Sequence, residues 1–215
     1  MMRRGHRRRD AQNYPDHYFG LQKARHRVTR VAVYSCYYGA HEPLNHFAIA
    51  EADCDRFVVT DNPDVSVDGA TTIVDDTMDL PPAIASPRYK LCTQGPLSDY
   101  DLTIYLDNRS ALKPNAIQRL KEVEAPFSLF RHHQRDCVYR EGKACRRNKV
   151  IDKKRLDRQI ARYRQAGLPR NSGLFCGTFL VRKRIEGQLA DFTHAWVEHF
   201  LHYSERDQIS LGYLA

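Results

Sequence analysis

Continuous apolar runs alternate with longer polar or amphipathic stretches along most of this chain. Val31-Ala32-Val33-Tyr34-Ser35-Cys36-Tyr37-Tyr38 is apolar almost without interruption and is closed by Gly39. A strand covered on both faces reads this way, because neither side of its pleat meets water. Phe57-Val58-Val59-Thr60, ending in Asp61-Asn62-Pro63, and Thr71-Thr72-Ile73-Val74 predict a second and a third strand. Asp101-Leu102-Thr103-Ile104-Tyr105-Leu106-Asp107 predicts a strand that terminates in a carboxylate, Phe127-Ser128-Leu129-Phe130 another, and 173–181 a last one.

Helical signals fall between these runs. Short helices are expected over about 44–52, over 88–93 after Pro87, and over 113–123, where Pro114 suits the first turn. In 151–166, Leu156, Ile160 and Tyr163 share a face and Gly167 suits the C-terminal cap. In 185–203, Leu189, Phe192, Trp196 and Phe200 form a stripe. Strands alternating with helices predict an α/β fold with a mainly parallel central sheet flanked by helices. Such sheets bind ligands at the carboxyl ends of their strands. That rule selects Tyr37-Tyr38-Gly39, Asp61-Asn62 and Asp107-Asn108-Arg109.

Charge changes the picture only once it is divided along the chain. The net charge is +8. Residues 1–30 carry 9 Lys/Arg against 2 Asp/Glu, 31–130 carry 7 against 15, and 131–170 carry 14 against 4. An acidic first half facing a basic segment suits an anionic ligand in a cleft as well as it suits nucleic acid. The basic segment lacks the interleaved aromatics of nucleic-acid binders, which makes nucleic acid the weaker reading. Residues 1–28 read as a basic, mobile lead-in and 29–215 as a single domain. No apolar run has the length of a transmembrane helix, and no apolar stretch follows the first arginines, so the expected compartment is the cytoplasm. The six cysteines lack any C-x-x-C pair, which argues for free thiols.

Several positions carry candidate chemistry. Asp107, placed just after a buried strand, is suited to hold a divalent cation that bridges a diphosphate, or else to cap a following helix. Asp61 could accept from a base or ribose, or form an Asx turn before Pro63. Arg88 and Lys90 could reach an anion from a helix, or form a solvated charged face. Residues 130–141 are dense in titratable groups, among them His132 and Arg135, which could supply a base or bind phosphate. Neighbouring histidines on a strand face opposite ways, which weakens a zinc reading. His194, His199 and His202 read as surface or core histidines. Glu205-Arg206-Asp207-Gln208-Ile209-Ser210 opens a helix with a carboxylate and an amide, either as a cap or as a place to hold an acceptor hydroxyl.

Taken in order, Val31 through Gly39, Phe57 through Asn62, Pro87-Arg88-Tyr89-Lys90, Tyr105-Leu106-Asp107, His132 through Glu141, Gly173 through Arg182 and Arg206 through Ser210 resemble one family. It is the glycosyltransferase-like family that includes plant turgor-regulation and seed-mucilage proteins. The resemblance implies a GT-A-like fold, a nucleotide-sugar donor and a glycan or other hydroxyl acceptor. It would place Tyr37, Tyr38 and Asp61 toward the nucleotide, and Arg88 and Lys90 near the diphosphate. Asp107 would be the first acid of the metal-binding D-x-D, holding Mn2+ or Mg2+, and Arg109 stands where the second acid belongs. An arginine there can stabilise a diphosphate in place of a metal. Asp207 would orient or deprotonate the acceptor, with Gln208, His132 and Arg135 on the acceptor or phosphate side. Two other readings stay open. One is a lipid amide hydrolase, for which no amphipathic lipid-binding segment stands out. The other is a non-catalytic anion- or nucleic-acid-binding protein on the same fold.

Overall fold

The computed structural model describes residues 29–40, 42–44, 53–75, 81–148 and 152–215. The expected lead-in at 1–28, and all of the helix expected over 44–52 except Leu44, lie outside them. The described strands are β1 (Val31–Tyr37), β2 (Asp55–Thr60), β3 (Thr71–Val74), β4 (Leu102–Leu106), β5 (Phe127–Arg131) and β6 (Phe175–Lys183). They form one sheet in the order β3-β2-β1-β4-β6-β5. β3, β2, β1 and β4 run parallel, with Tyr37 beside Thr60 and Tyr34 beside Tyr105. β6 alone is inverted, antiparallel to both β4 and β5.

The unbroken apolar runs occupy the middle of this sheet, as their pattern requires. β4 is buried along its whole length and β1 up to its last residue. One face packs Tyr34, Tyr105 and Leu180 against Leu91 of α1 (Pro82–Leu91) and against Trp196 and Phe200 of α5 (Gly187–His202). The other packs Val33, Ile104 and Leu106 against Ile117 of α2 (Ala116–Lys121). Each such fully buried side chain contributes roughly 1.5–3 kcal/mol. A third cluster joins Val138 of α3 (Val138–Arg147), Leu156 and Tyr163 of α4 (Lys153–Gln165), and Ile209 of α6 (Asp207–Leu214).

Several element boundaries differ from the expectation. α1 does not begin after Pro87; Pro82 occupies its first turn and Pro87 lies inside it. An initial proline already has the helical φ, while an interior one removes the N–H that would bond the carbonyl four residues back. α2 is shorter than 113–123, because Asn115 before it takes φ 61°. α3 is a helix that the hydrophobic pattern does not announce. Its inward face is Val138, Glu141, Gly142 and Cys145, so a carboxylate and a glycine stand where apolar residues were sought. α4 starts two residues later than expected because Asp152 caps it, accepting from the Arg155 N–H at 2.9 Å. All six cysteines are free, with Cys36, Cys137 and Cys145 buried.

Candidate functional site

The carboxyl ends of β1 and β4 lie side by side, and a pocket of about 330 Å³ opens there. Tyr37, Tyr38, Tyr105, Asp107 and Arg109 line it, together with Glu42. Because β6 is inverted, its starting residues reach the same end of the sheet: the Asp107 N–H donates to the Thr178 carbonyl at 2.9 Å. Asp107 caps no helix, since the chain turns at once through a Ser110 N–H bond to its carbonyl and α2 starts only at Ala116. Its Oδ1 accepts from the Asn108 N–H at 3.1 Å and from the Tyr105 hydroxyl at 3.5 Å. The carboxylate is thus fixed by one oxygen at the pocket wall.

Arg109 is 84% exposed and meets Glu42, Nε to Oε2, at 2.6 Å. That hydrogen bond holds the Glu42 carboxyl below its usual range. The Tyr37 hydroxyl donates to the Glu42 carbonyl at 2.8 Å, so one tyrosine and one arginine hold the same short segment. Tyr38 donates to Asp75 at 2.7 Å, and burial pushes its phenol well above the ordinary value. Asp61 does not line the pocket. Both of its oxygens accept from the Gly39 N–H, at 3.1 and 3.2 Å, where Gly39 has φ 68°. It braces the turn that ends β1. Arg88 lies on α1, also outside the lining.

Behind the pocket sits a buried charge pair. Lys90 Nζ lies 2.5 Å from Asp207 Oδ2, and the two side chains are 15% and 11% exposed. The contact is an ion pair, and Lys90 acts on Asp207 chiefly through its charge. Lys90 also lies 5.5 Å from the centroid of the Tyr105 ring, whose hydroxyl donates to Asp107. Burial works to raise the Asp207 pKa, but Lys90 outweighs it, with help from Arg206, and the carboxyl is held below its ordinary value. Gly177 makes room for the pair: a Cβ there would stand 2.6 Å from Asp207 Oδ2 and 2.9 Å from Lys90 Nζ. Trp196 Nε1 donates to the Asp207 carbonyl at 3.0 Å, and the Gln208 N–H to Asp207 Oδ1 at 2.8 Å. Buried Arg182 ties this layer to the sheet through the Tyr34 hydroxyl, at 2.9 Å, and the Lys90 carbonyl.

His132 and Arg135 belong to a neighbouring cluster. Glu141, fully buried, receives Arg135 Nε at 2.5 Å and Arg206 Nη2 at 3.0 Å. Desolvation would raise its pKa, yet Arg206 and Arg135 lower it. His132 Nδ1 accepts the Gln134 and Arg135 N–H groups at 3.1 Å, and burial followed by Arg135 lowers its pKa. The rings of His132 and His133 stack at 5.1 Å instead of facing opposite ways, since both lie beyond the end of β5. Arg206 is the step from this cluster to Asp207. Of the sequence candidates, the structure brings Tyr37, Tyr38, Asp107 and Arg109 together at the pocket, and it pairs Lys90, expected near a diphosphate, with Asp207, expected on the acceptor side, behind it. Sequence reasoning missed Glu141, Arg206, Gly177, Tyr105 and Arg182 as parts of the arrangement. Among the described residues no group of three or more His, Cys, Asp or Glu side chains could hold a metal. Any cation here would rest on Asp107 and on oxygens brought by the ligand.

A mostly parallel six-stranded sheet flanked by helices is an α/β fold consistent with a GT-A-like domain. The family model of the TOD1/MUCI70 glycosyltransferase-like domain matches residues 96–215, more than half of the chain, and the chain belongs to that family. The matched part contains Asp107, Arg109, His132, Arg135, Glu141, Gly177 and Asp207. A search of curated proteins returned no significant match. No described helix is long and apolar enough to cross a membrane.

Proposed function

We propose that the protein transfers a sugar from a nucleotide-diphosphate donor to a hydroxyl of a glycan or other acceptor, with the donor diphosphate in the pocket at the ends of β1 and β4. The observation that carries this reading is Asp107, a carboxylate fixed by one oxygen at the wall of a strand-end pocket. Tyr37 and Tyr38 would flank the nucleotide, and Asp61 would serve it indirectly by holding the β1 turn. A divalent cation, Mn2+ or Mg2+, would be held by Asp107 together with donor phosphate oxygens, as magnesium-type sites commonly are. When bound, it would supply charge neutralisation for the departing diphosphate.

Arg109 could exchange Glu42 for the diphosphate, since its exposed side chain is anchored at one end only. Lys90, its charge matched by Asp207, would support the pocket wall behind Tyr105, and Arg88 would act on the diphosphate from the same helix. In the transfer, the acceptor oxygen bonds to the anomeric carbon while the bond to the diphosphate breaks, its electron pair leaves with the phosphate oxygen, and the acceptor's hydroxyl proton passes to the departing diphosphate or to water. Asp207, held ionised, is better suited to accept a hydrogen bond from the acceptor hydroxyl than to hold a proton afterwards. Gln208, His132 and Arg135 would shape the acceptor side.

Calorimetric titration with a panel of nucleoside diphosphates, with and without manganese, tests the reading. Binding that needs manganese and is lost in Asp107→Ala supports a metal-dependent transferase. Binding without metal that is lost in Arg109→Ala supports a transferase that uses the arginine. No binding at millimolar nucleotide overturns the donor-site assignment and leaves the amide-hydrolase and anion-binding readings.

A further inference from the structure

A second cavity lies away from the strand ends. It measures about 690 Å³, lies between α3 and α4, and shares no lining residue with the strand-end pocket. Its charged lining is Arg140, Lys143 and Arg146 from α3, Asp157 and Arg164 from α4, and Arg170 from the turn beyond. Five cations therefore face one carboxylate. Arg146 meets Asp157, and Arg140 meets Asp136 at 3.1 Å. Lys143, Arg164 and Arg170 pair with no carboxylate among the described residues.

Three features separate this concavity from an ordinary solvated basic face. First, its cations come from elements that converge. Arg140, Lys143 and Arg146 follow one another at three-residue spacing on α3, where like charges repel along one face, and α4 brings Arg164 up opposite them. Second, the helices are held close. A Cβ on Gly142 would stand 3.0 Å from Ile160 Cδ1, so the charged walls rest on a packed floor of Leu156 and Ile160. Third, one wall is aromatic: the Arg164 guanidinium lies 5.4 Å from the centroid of the Tyr139 ring. At the end of the cavity the backbone N–H groups of Asn171, Arg140 and Tyr139 lower the Cys137 thiol against a burial effect that would raise it. The backbone there favours negative charge, in keeping with the side chains.

We propose that the α3–α4 cavity is a second anion site that binds a small oligoanion carrying two or more closely spaced phosphoryl groups. A single carboxylate would leave most of the excess charge uncompensated, whereas a diphosphate carries several negative charges in a span of a few ångströms. Arginine forks bind phosphoryl oxygens in pairs, and lysine adds a mobile point charge. The volume lies within the range of small-molecule pockets. The site is independent of the donor pocket, and the proposal stands whether or not the transferase reading does.

Inorganic pyrophosphate is the probe, titrated calorimetrically into the whole chain at low ionic strength. Saturable binding of one pyrophosphate with a Kd on the order of 10–100 μM is expected. Lys143→Glu with Arg170→Glu should raise that Kd about tenfold or more, since it reverses two unpaired wall charges. Lys154→Glu with Arg158→Glu makes the same change of net charge on α4 residues outside the lining, and should raise the Kd clearly less than the first double variant, because those side chains act on the ligand only through the long-range field. Asp107→Ala should leave it unchanged. If the first double variant loses its fold by circular dichroism, Lys143→Gln alone should raise the Kd about threefold, the share of one exposed charge. A nucleoside diphosphate titrated in parallel into Asp107→Ala with Arg109→Ala, which removes the proposed donor contacts, distinguishes the sources: tighter binding than pyrophosphate assigns a nucleotide whose base meets Tyr139, and equal or weaker binding assigns free pyrophosphate. The proposal is overturned by absence of saturable binding, by equal weakening in both double variants, or by loss of pyrophosphate binding in Asp107→Ala alone.

Discussion

Replacing Lys90 by methionine removes the ammonium that holds Asp207 ionised while keeping the length of the side chain. The two side chains are 15% and 11% exposed, so Asp207 would be left as a nearly buried, uncompensated carboxylate. Breaking a buried pair by deleting one partner costs roughly 3–5 kcal/mol. Arg206 still lowers the Asp207 pKa, which places the expected loss at the lower end, about 3 kcal/mol. For a chain of this size each kcal/mol moves Tm by about 2–4 °C, so Tm at pH 7.5 should fall by about 6–12 °C. The pH dependence fixes the cause. In the native protein the folded pKa of Asp207 is depressed, so its contribution is present above the unfolded value, about 3.9, and is lost as pH falls through the folded one. In Lys90→Met desolvation prevails and the folded pKa rises above the unfolded value. The variant then gains relative stability on acidification, and the gap between the two proteins narrows toward pH 5. Thermal melts by circular dichroism at pH 5.0, 6.0 and 7.5 read both effects. A gap below about 2 °C at pH 7.5, or one that stays constant with pH, refutes the assignment of the pair as the support of Asp207.

Two further substitutions address the same layer from other sides. Gly177→Ala should destabilise by about 1–3 kcal/mol in urea unfolding, because its Cβ would stand 2.6 Å from Asp207 Oδ2; an unchanged or increased midpoint contradicts the close approach. Trp196→Phe removes the Nε1 donor to the Asp207 carbonyl and part of a fully buried ring, and should cost about 2 kcal/mol by the same measurement. A loss below about 0.5 kcal/mol would show that the Ser210 hydroxyl, which donates to that carbonyl at 3.0 Å, suffices alone.

The central sheet is legible in the sequence because its signal is local. β1 and β4 are buried on both faces, and their continuous apolar runs can fold in few other ways. The inversion of β6 is not legible: an apolar run carries no direction, and only the pairing of Leu106 with Phe179 and of Tyr105 with Leu180 sets it. α3 fails for a different reason. Its inward positions include Glu141, and a carboxylate at a core position is admissible only when partners far along the chain neutralise it. Arg206, sixty-five residues away, is one of those partners. The interior proline of α1 hides a helix in the same manner, by obeying a rule for ends inside an element.

The candidate site divides along the same line. Asp107 and the two tyrosines stand at strand ends, and strand ends can be read from where an apolar run stops. Lys90 and Asp207 can be picked out only by resemblance, because on α1 and α6 each looks like an ordinary helix charge. What makes them a unit is a glycine on β6 that leaves space for them and an arginine, Arg182, that holds the Lys90 carbonyl against the sheet. Neither has a local signature, since a glycine in a strand and an arginine near its end are common in isolation. Burial supplies the distinction. Arg182 is 1% exposed, and a guanidinium is tolerated there only with partners, here the Tyr34 hydroxyl for Nη1 and the Lys90 carbonyl for Nη2, while its Nε has none. Tyr34 in turn is pushed up to about 12 by burial, against the opposing pull of Arg182, so it stays a neutral acceptor for that guanidinium. The order of construction thus runs from the sheet outward: β1 offers Tyr34, β6 places Arg182 on it, Arg182 fixes the backbone of α1, and α1 delivers Lys90 to Asp207. A change at Tyr34 should therefore reach Asp207 through two intermediates, although the two residues share no contact that a sequence could announce.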